Sequence, residues 1–197
     1  MSLSLLDWRR SVTATYGRVR ADTDPAHAWL AWRASRDALY AKHPDSPLLP
    51  EDRAGFTGLP FAPYDPALRW ELPIEETTPE RREVPTISDG VVPFERVGLV
   101  QLPDLGTLDV WWLDSYGGGI FVPVSDTNPA TYGGGRYLID TAKGADLGGA
   151  DGRLVIDLNF AYNPSCAYNP AWMSPLAPPT NYLDVPINAG ELLSVHR

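Results

Sequence analysis

The chain between residues 67 and 160 consists of short runs of β-branched, aliphatic and aromatic residues, separated by turn-forming glycine, proline and aspartate. Because no helical run lies between them, the strands are predicted to be antiparallel and to form a meander. So many short strands close into a barrel or split into packed sheets. The predicted strands are Leu68–Ile74, Arg82–Ile87, Phe94–Leu102, Leu108–Leu113, Ile120–Val124, Arg136–Thr141 and Arg153–Asn159.

Helices are predicted before this region. Asp24 is a suitable N-cap and Pro25 is tolerated at the first helical position. The run that follows contains no glycine or proline up to His43. Pro44 ends this helix, because the residue before a proline resists the α conformation. A shorter helix is predicted over Ser4–Tyr16, stopped by the glycine that follows it.

Proline-rich segments flank the strands. Residues 44–66 contain six prolines and two glycines among large apolar residues, which predicts an ordered, irregular wrap against the body. Residues 161–197 carry the sequence AYNP twice, and Asn-Pro favours turns. We expect an ordered coil with a last strand there, because disorder would leave Phe160, Trp172 and Leu176 in water.

A length of 197 residues suits one domain with a single core. The predicted fold is α+β, with N-terminal helices packed on an antiparallel, mostly meandering β-barrel or strongly bent sheet and a proline-rich C-terminal coil. The single domain 1–197 is divided into helices (1–43), the wrap (44–66), antiparallel strands (67–160) and the ordered coil with the last strand (161–197).

The charge balance excludes several classes of partner. Sixteen Lys and Arg stand against 25 Asp and Glu, a net charge of -9, so neither nucleic acid nor a membrane is an expected partner. One Cys and three His exclude an internal disulfide and a Cys/His zinc cage. We predict no metal and no cofactor. The chain lacks an apolar run of transmembrane length and the pattern of a secretory signal, which predicts a cytoplasmic protein.

Two acidic positions stand out as candidates for chemistry. Asp157 and Asn159 share one face of the last predicted strand, about 7 Å apart, and this face is either solvent-exposed or the polar lining of a cleft. Asp126 either forms a turn or pairs with Arg136. Because few basic residues follow position 100, Arg136 is expected to pair with a carboxylate or to hold an anionic ligand group.

Other candidate motifs are less specific. Cys166 would need a base to act as a nucleophile, and His43 could reach it in the fold; the alternative is a buried structural thiol. The segments Tyr116–Gly119 and Tyr132–Gly135 fit neither the dinucleotide-binding motif nor the P-loop. They are predicted to be hairpin turns or close backbone approaches.

Several segments of the chain are specific in composition. They include the segments from Phe121 to Leu138 and from Asp157 to Tyr168, with Arg36-Asp37, Pro178-Pro179 and Ala189-Gly190-Glu191. These segments resemble an uncharacterised prokaryotic family, the domain of unknown function sixteen eighty-four, over roughly residues 29–191. Because that family has no established reaction, the resemblance implies a place for the site but no chemistry.

The predicted function is small-molecule binding at a polar-aromatic pocket at one end of the β-barrel. The alternatives are an acid–base enzyme, such as a hydrolase or isomerase, and a flavin-binding protein by analogy with small barrels. Association into a homodimer is left open. The predicted catalytic residues are Asp157, Asp126 and Tyr132, and the predicted ligand-binding residues are Arg136, Asn159, Tyr162, Asn163, Tyr168, Cys166 and Glu191.

Overall fold

The structure is α+β, with two long helices followed by antiparallel sheets. The computed structural model describes residues 3–85 and 90–193. Helix α1 spans Leu3–Ala21, helix α2 spans Pro25–Lys42, and a one-turn helix, α3, spans Pro50–Arg53. The two long helices pack against each other at the start of the chain.

The limits of the helices test two predictions. The carboxylate of Asp24 accepts two backbone N–H groups in the first turn of α2, which confirms the predicted cap. The predicted end of α1 at Tyr16 is wrong, because the helix continues through Gly17 to Ala21. Glycine costs a helix about 1 kcal/mol, and the packing of Tyr16 and Val19 against the core offsets that cost.

Eight strands lie within the described residues, and the seven predicted strands coincide with seven of them to within a few residues. The end of the predicted strand Arg82–Ile87 and Asp89 of the next turn lie outside the described residues, as does the chain after residue 193. The strands are β1 (Arg69–Pro73), β2 (Arg81–Pro85), β3 (Val91–Leu102), β4 (Gly106–Leu113), β5 (Ile120–Asp126), β6 (Arg136–Asp140), β7 (Arg153–Asp157) and β8 (Tyr182–Leu183).

The strands form two sheets. In the larger, six-stranded sheet β2 to β6 follow one another as the predicted antiparallel meander, and the short β8 pairs in parallel with β5. In the smaller sheet β1 pairs with β7, in a register that places Arg69 opposite Asp157. The closed barrel is therefore a wrong prediction. Strand β2 ends the larger sheet with Pro85, arginines and a glutamate, which is how natural edge strands avoid further pairing.

Two apolar clusters hold the layers together. The larger lies between the sheets, where Val110, Val122 and Ile156 are fully buried. The second joins the helices to the sheets through Trp32 and Phe160, whose rings are 4.9 Å apart. Burial of such side chains supplies about 25 cal/mol for each Å² of apolar surface removed from water.

The proline-rich segments are ordered against this body. In the wrap, Leu48 and Leu59 are buried, as predicted, although α3 adds a helical turn where only irregular structure was expected. A bridge from Phe61 to Glu191 joins the wrap to the C-terminal coil, residues 161–193. Asn181 anchors this coil by donating to the carbonyls of Asp109 and Pro123, 2.9 Å each.

Within residues 3–85 and 90–193, neither long helix has the length and apolar composition of a transmembrane span.

Candidate functional site

Asp126 and Arg136 form a buried ion pair. The Arg136 Nη2 donates to Asp126 Oδ2 at 2.8 Å, and both side chains are almost completely buried. The Thr131 hydroxyl donates to the Asn128 carbonyl at 2.9 Å and lies 3.4 Å from the same carboxylate oxygen. The other oxygen accepts the backbone N–H groups of Asn128 and Ile187. This confirms the predicted pairing with a carboxylate and leaves Asp126 with donors on both oxygens.

Arg136 also holds the end of the coil. Its Nη1 donates to the carbonyls of Ala189 and Glu191. Burial lowers the pKa of Arg136, and the neighbouring Asp126 and Glu191 carboxylates oppose that shift. The guanidinium therefore fastens the last described residues to β6, a structural task that needs the bidentate geometry of arginine.

Glu191 meets a second arginine from the helical layer. The Glu191 carboxylate is fully buried and accepts from Arg36 Nη2 at 3.0 Å, from the Asn163 backbone N–H at 3.0 Å and from the Tyr168 hydroxyl. Arg36 also donates to the Tyr40 hydroxyl at 2.9 Å. Arg136 connects this group to Asp126, because it also donates to the Glu191 carbonyl. We refer to the seven connected residues as the polar network: Arg36, Tyr40, Asp126, Arg136, Asn163, Tyr168 and Glu191.

The electrostatics of this network fix its protonation. The pKa of Arg36 is well above its usual value: burial lowers it, but Tyr40, Glu191 and the nearby Tyr168 and Tyr16 together raise it by a larger amount. Burial raises the pKa of Tyr40 to about 12, although Arg36 lowers it in part. Burial and the Glu191 carboxylate also raise the pKa of Tyr168. Both phenols therefore remain neutral at physiological pH, with the Tyr40 hydroxyl accepting from Arg36 and the Tyr168 hydroxyl donating to Glu191.

Asn163 and Tyr162 link the first AYNP segment to this network. The Asn163 side chain donates to the carbonyl of Leu192 at 3.1 Å, and the Arg36 guanidinium lies 4.7 Å from the centre of the Tyr162 ring. The pKa of Tyr162 is raised by burial and by Asp140. The Asn163 backbone N–H and side-chain NH₂ thus bind the protein itself beside Glu191, while its Oδ1 is buried without a hydrogen-bond partner among the described residues.

Asp157 and Asn159 belong to a different cluster. Asp157 Oδ1 accepts from the Asn159 backbone N–H at 3.0 Å and from its side-chain amide at 2.8 Å, while Oδ2 accepts from Arg69 at 3.3 Å and weakly from Tyr64. Asn159 also exchanges two hydrogen bonds with the backbone of Asp65. Both predicted residues are fully buried, so the solvent-face alternative is wrong. The shared strand face is wrong as well, because β7 ends at Asp157 and Asn159 lies in the single 3₁₀ turn that follows.

Burial raises the pKa of Asp157, and the hydrogen bonds from Asn159 and the charge of Arg69 reduce that shift. Among the described residues, no hydrogen bond or ion pair joins this cluster to Asp126 or Glu191. The predicted carboxylates thus stand in two separate groups.

Tyr132 and Cys166 meet at the surface of the coil. The Tyr132 hydroxyl lies 3.6 Å from the Cys166 Sγ, and Cys166 is partly exposed. His43 instead contacts the Trp8 ring, with Asp7 3.5 Å from its Nε2. His43 is therefore not placed as the base that a nucleophilic Cys166 would need.

The described residues form no group of three or more His, Cys, Asp or Glu side chains that could hold a metal ion.

An aromatic pocket lies on the face of the larger sheet that carries Trp111 and Phe121, opposite the face that carries Val110 and Val122. Its volume is about 130 Å³. Its walls come from β2 to β5 and from the C-terminal coil: Arg82, Val84, Phe94, Trp111, Phe121, Leu176 and Pro178. We refer to this set as the aromatic pocket.

The coil closes the pocket through close contact with the second glycine-rich segment. A side chain at Gly134 would meet Tyr132 and Leu176, and one at Gly135, where φ is +89°, would meet Ala177. This confirms the predicted close backbone approach. The Tyr137 hydroxyl also donates to the carbonyl of Pro175 at 2.6 Å.

None of the pocket residues is among those predicted from the sequence. The pocket depends on pairs of residues that face each other on neighbouring strands: Arg82 lies opposite Phe94, and Trp111 lies opposite Phe121. These pairs become visible only once the strand register is known.

The fold and these sites define an α+β protein with a buried polar network and a small aromatic pocket. The chain belongs to the family described as Protein of unknown function (DUF1684), whose model matches residues 54–192, and this confirms the resemblance.

The chain is similar to an uncharacterized protein of Haloarcula marismortui solved by NMR, with 31% identity and a TM-score of 0.59 over 85% of this chain and 94% of that chain. No curated protein matches the chain.

Proposed function

We propose that this protein binds a small molecule and that the aromatic pocket receives a single ring of that molecule. The observation that supports this proposal is the pocket itself, about 130 Å³ of space walled by Phe94, Trp111 and Phe121 and roofed by Leu176 of the coil. An apolar cavity of about 150 Å³ is large enough to bind benzene. The three fused rings of a flavin need more room, so the volume favours a smaller ligand.

Arg82 gives the pocket one polar wall. Its guanidinium lies 5.2 Å from the centre of the Trp111 ring, and its Nε donates to Glu80 Oε1 at 2.6 Å. A ligand ring stacked in the pocket would share this aromatic and cationic surface. Because Glu80 neutralises part of the charge, the proposal extends to neutral as well as anionic rings.

The hydrogen bonds of the three predicted carboxylates favour binding over acid–base catalysis. A general base needs an oxygen within reach of a substrate proton, whereas Asp126, Asp157 and Glu191 each accept from protein donors on both oxygens. In this proposal the predicted ligand-binding residues of the network hold the C-terminal coil in place. Tyr132 and Cys166 lie beside the part of the coil that roofs the pocket.

Calorimetric titration with phenol and with benzoate tests the proposal. Because each probe carries one ring, we expect dissociation constants of about 1 mM, which corresponds to about −4 kcal/mol. Leu176→Trp places a larger side chain in the opening and should weaken phenol binding at least about tenfold, or about 1.4 kcal/mol. Met173→Trp is the matched control, since Met173 is exposed on the same coil and does not line the pocket.

Equal phenol affinity in the wild type and in Leu176→Trp would overturn the proposal, as would equal weakening in both tryptophan variants. Native mass spectrometry of the gently purified protein adds the mass of any bound compound and shows whether two copies associate as a homodimer.

A further inference from the structure

A second cavity lies between helices α1 and α2. It is an open groove of about 460 Å³ and shares no lining residue with the aromatic pocket. Most of its lining residues are polar or charged, namely Ser11, Thr15, Arg18, Ser35, Lys42 and His43.

The spacing of these residues follows from helix geometry. Ser11, Thr15 and Arg18 lie four and then three residues apart on α1, and Ser35 and Lys42 lie seven apart on α2. Residues at these intervals share one face of a helix. Each helix therefore turns a polar stripe toward the groove, while Tyr16, Trp29 and Trp32 pack into the core on other faces.

The groove is locally cationic on an acidic protein. The described residues that line it include no Asp or Glu, although the chain has a net charge of -9. Neither Arg18 nor Lys42 forms an ion pair with a described residue, whereas the buried Arg36 and Arg136 both do. Two uncompensated cations thus face a common space.

Arg18 is held in position by neutral groups. Its Nη2 donates to Thr15 Oγ1 at 3.0 Å and to Ser35 Oγ at 3.4 Å, across the groove. Hydroxyl oxygens orient a guanidinium without cancelling its charge, so its other N–H groups can bind an anion. At the His43 end the Asp7 and Asp45 carboxylates lie 3.5 and 4.0 Å from the imidazole nitrogens, which disfavours an anion beside that ring.

We propose that the α1–α2 groove binds the oxyanion group, phosphate or carboxylate, of a small metabolite through Arg18, which lies beside Ser35. Lys42, two turns or about 10 Å farther along α2, adds charge attraction within the same groove. Arg18 supplies a forked donor set and Lys42 a point charge. The site is open to water, so its affinity is modest and falls as salt rises.

The test is a titration of the ¹⁵N-labelled full-length protein with inorganic phosphate at constant ionic strength, followed by amide chemical shifts. The largest shifts are expected in residues 11–18 and 35–43. The double variant Arg18→Gln/Lys42→Gln should weaken phosphate binding at least about tenfold, and Arg18→Lys should weaken it less. Arg9→Gln/Arg10→Gln removes two exposed cations of α1 that do not line the groove and should change the affinity less than about twofold.

Equal weakening by both double variants would contradict the proposal, because it would reveal general charge attraction. Shifts that spread over the whole surface, or no saturable shift with phosphate or acetate, would also contradict it. Parallel titration with acetate separates the two sources: tighter phosphate binding assigns the site to a phosphate group, and tighter acetate binding to a carboxylate. Thermal unfolding of each variant confirms that the compared proteins are folded.

Discussion

The polar network and the aromatic pocket differ in how their chemistry is used. In the network, the Glu191 carboxylate and the Arg136 guanidinium are fully buried and bind other parts of the chain. In the pocket, apolar walls enclose space, and Leu176 of the roof is 56% exposed. The network residues that the sequence singled out therefore bind other parts of the chain, whereas the pocket proposed for a ligand is walled by residues that the sequence did not single out.

The largest effect is expected from removing Arg136. Arg136→Met leaves the Asp126 carboxylate buried without its charge partner, which costs about 3–5 kcal/mol, a large fraction of the 5–15 kcal/mol typical of a folded protein. Urea unfolding measures the loss. The double variant Arg136→Met/Asp126→Leu should recover part of it, because no lone charge remains buried. If Arg136→Met is as stable as the wild type, the network does not hold the coil.

A smaller loss is expected at Tyr168. Tyr168→Phe removes the hydroxyl that donates to Glu191 and leaves one buried carboxylate oxygen without a donor, at a cost of about 1–3 kcal/mol. The same urea experiment applies. Tyr182→Phe is the control, since Tyr182 is exposed, and it should change the free energy of unfolding by less than about 0.5 kcal/mol.

The raised pKa of Asp157 predicts that the free energy of unfolding depends on pH. Burial raises its pKa in the folded protein, so the folded state keeps this proton to higher pH than the unfolded state. The free energy of unfolding therefore falls as pH rises from the ordinary Asp pKa of about 3.9 to the raised value. Asp157→Asn removes this contribution, so its stability should fall less steeply over that range.

Urea unfolding at a series of pH values measures both slopes. Asp184→Asn changes an exposed carboxylate and should keep the wild-type slope. A steeper fall in Asp157→Asn than in the wild type would contradict the cause assigned to the shift.

The smallest effect on stability is expected at the pocket. Leu176→Trp changes a largely exposed side chain, so the free energy of unfolding should change by less than about 0.5 kcal/mol. The same variant is expected to lose phenol binding. A variant that kept its ligand and lost its stability would reverse the roles assigned to the two regions.

Local signals predicted the parts of the fold that depend on neighbouring residues. The Asp24 cap and the strand segments follow from residues within a few positions of each other. The pair Asp126 and Arg136 also falls in this class, because a short turn segment brings two adjacent strands together. The glycine run that ends at Gly135 predicted a close backbone approach there, but not its distant partner Ala177.

Distant pairings could not be predicted in this way. The pairing of β1 with β7 and the contact of Arg36 with Glu191, 155 residues apart, depend on which elements meet in three dimensions. Arg36 and Glu191 both belong to the motifs of the family resemblance, which was a usable signal for that contact. The aromatic pocket had no such signal, because its walls come from strands whose register sets the facing residues.

The most direct test of the central claim is an amide chemical-shift map of the ¹⁵N-labelled protein titrated with phenol. Binding in the aromatic pocket predicts the largest shifts at Arg82, Phe94, Trp111, Phe121 and Leu176, with the amides of Asp157 and Asn159 unchanged. Largest shifts at Asp157 and Asn159, or at Glu191 and Arg36, would contradict the claim and place the ligand within the buried polar groups.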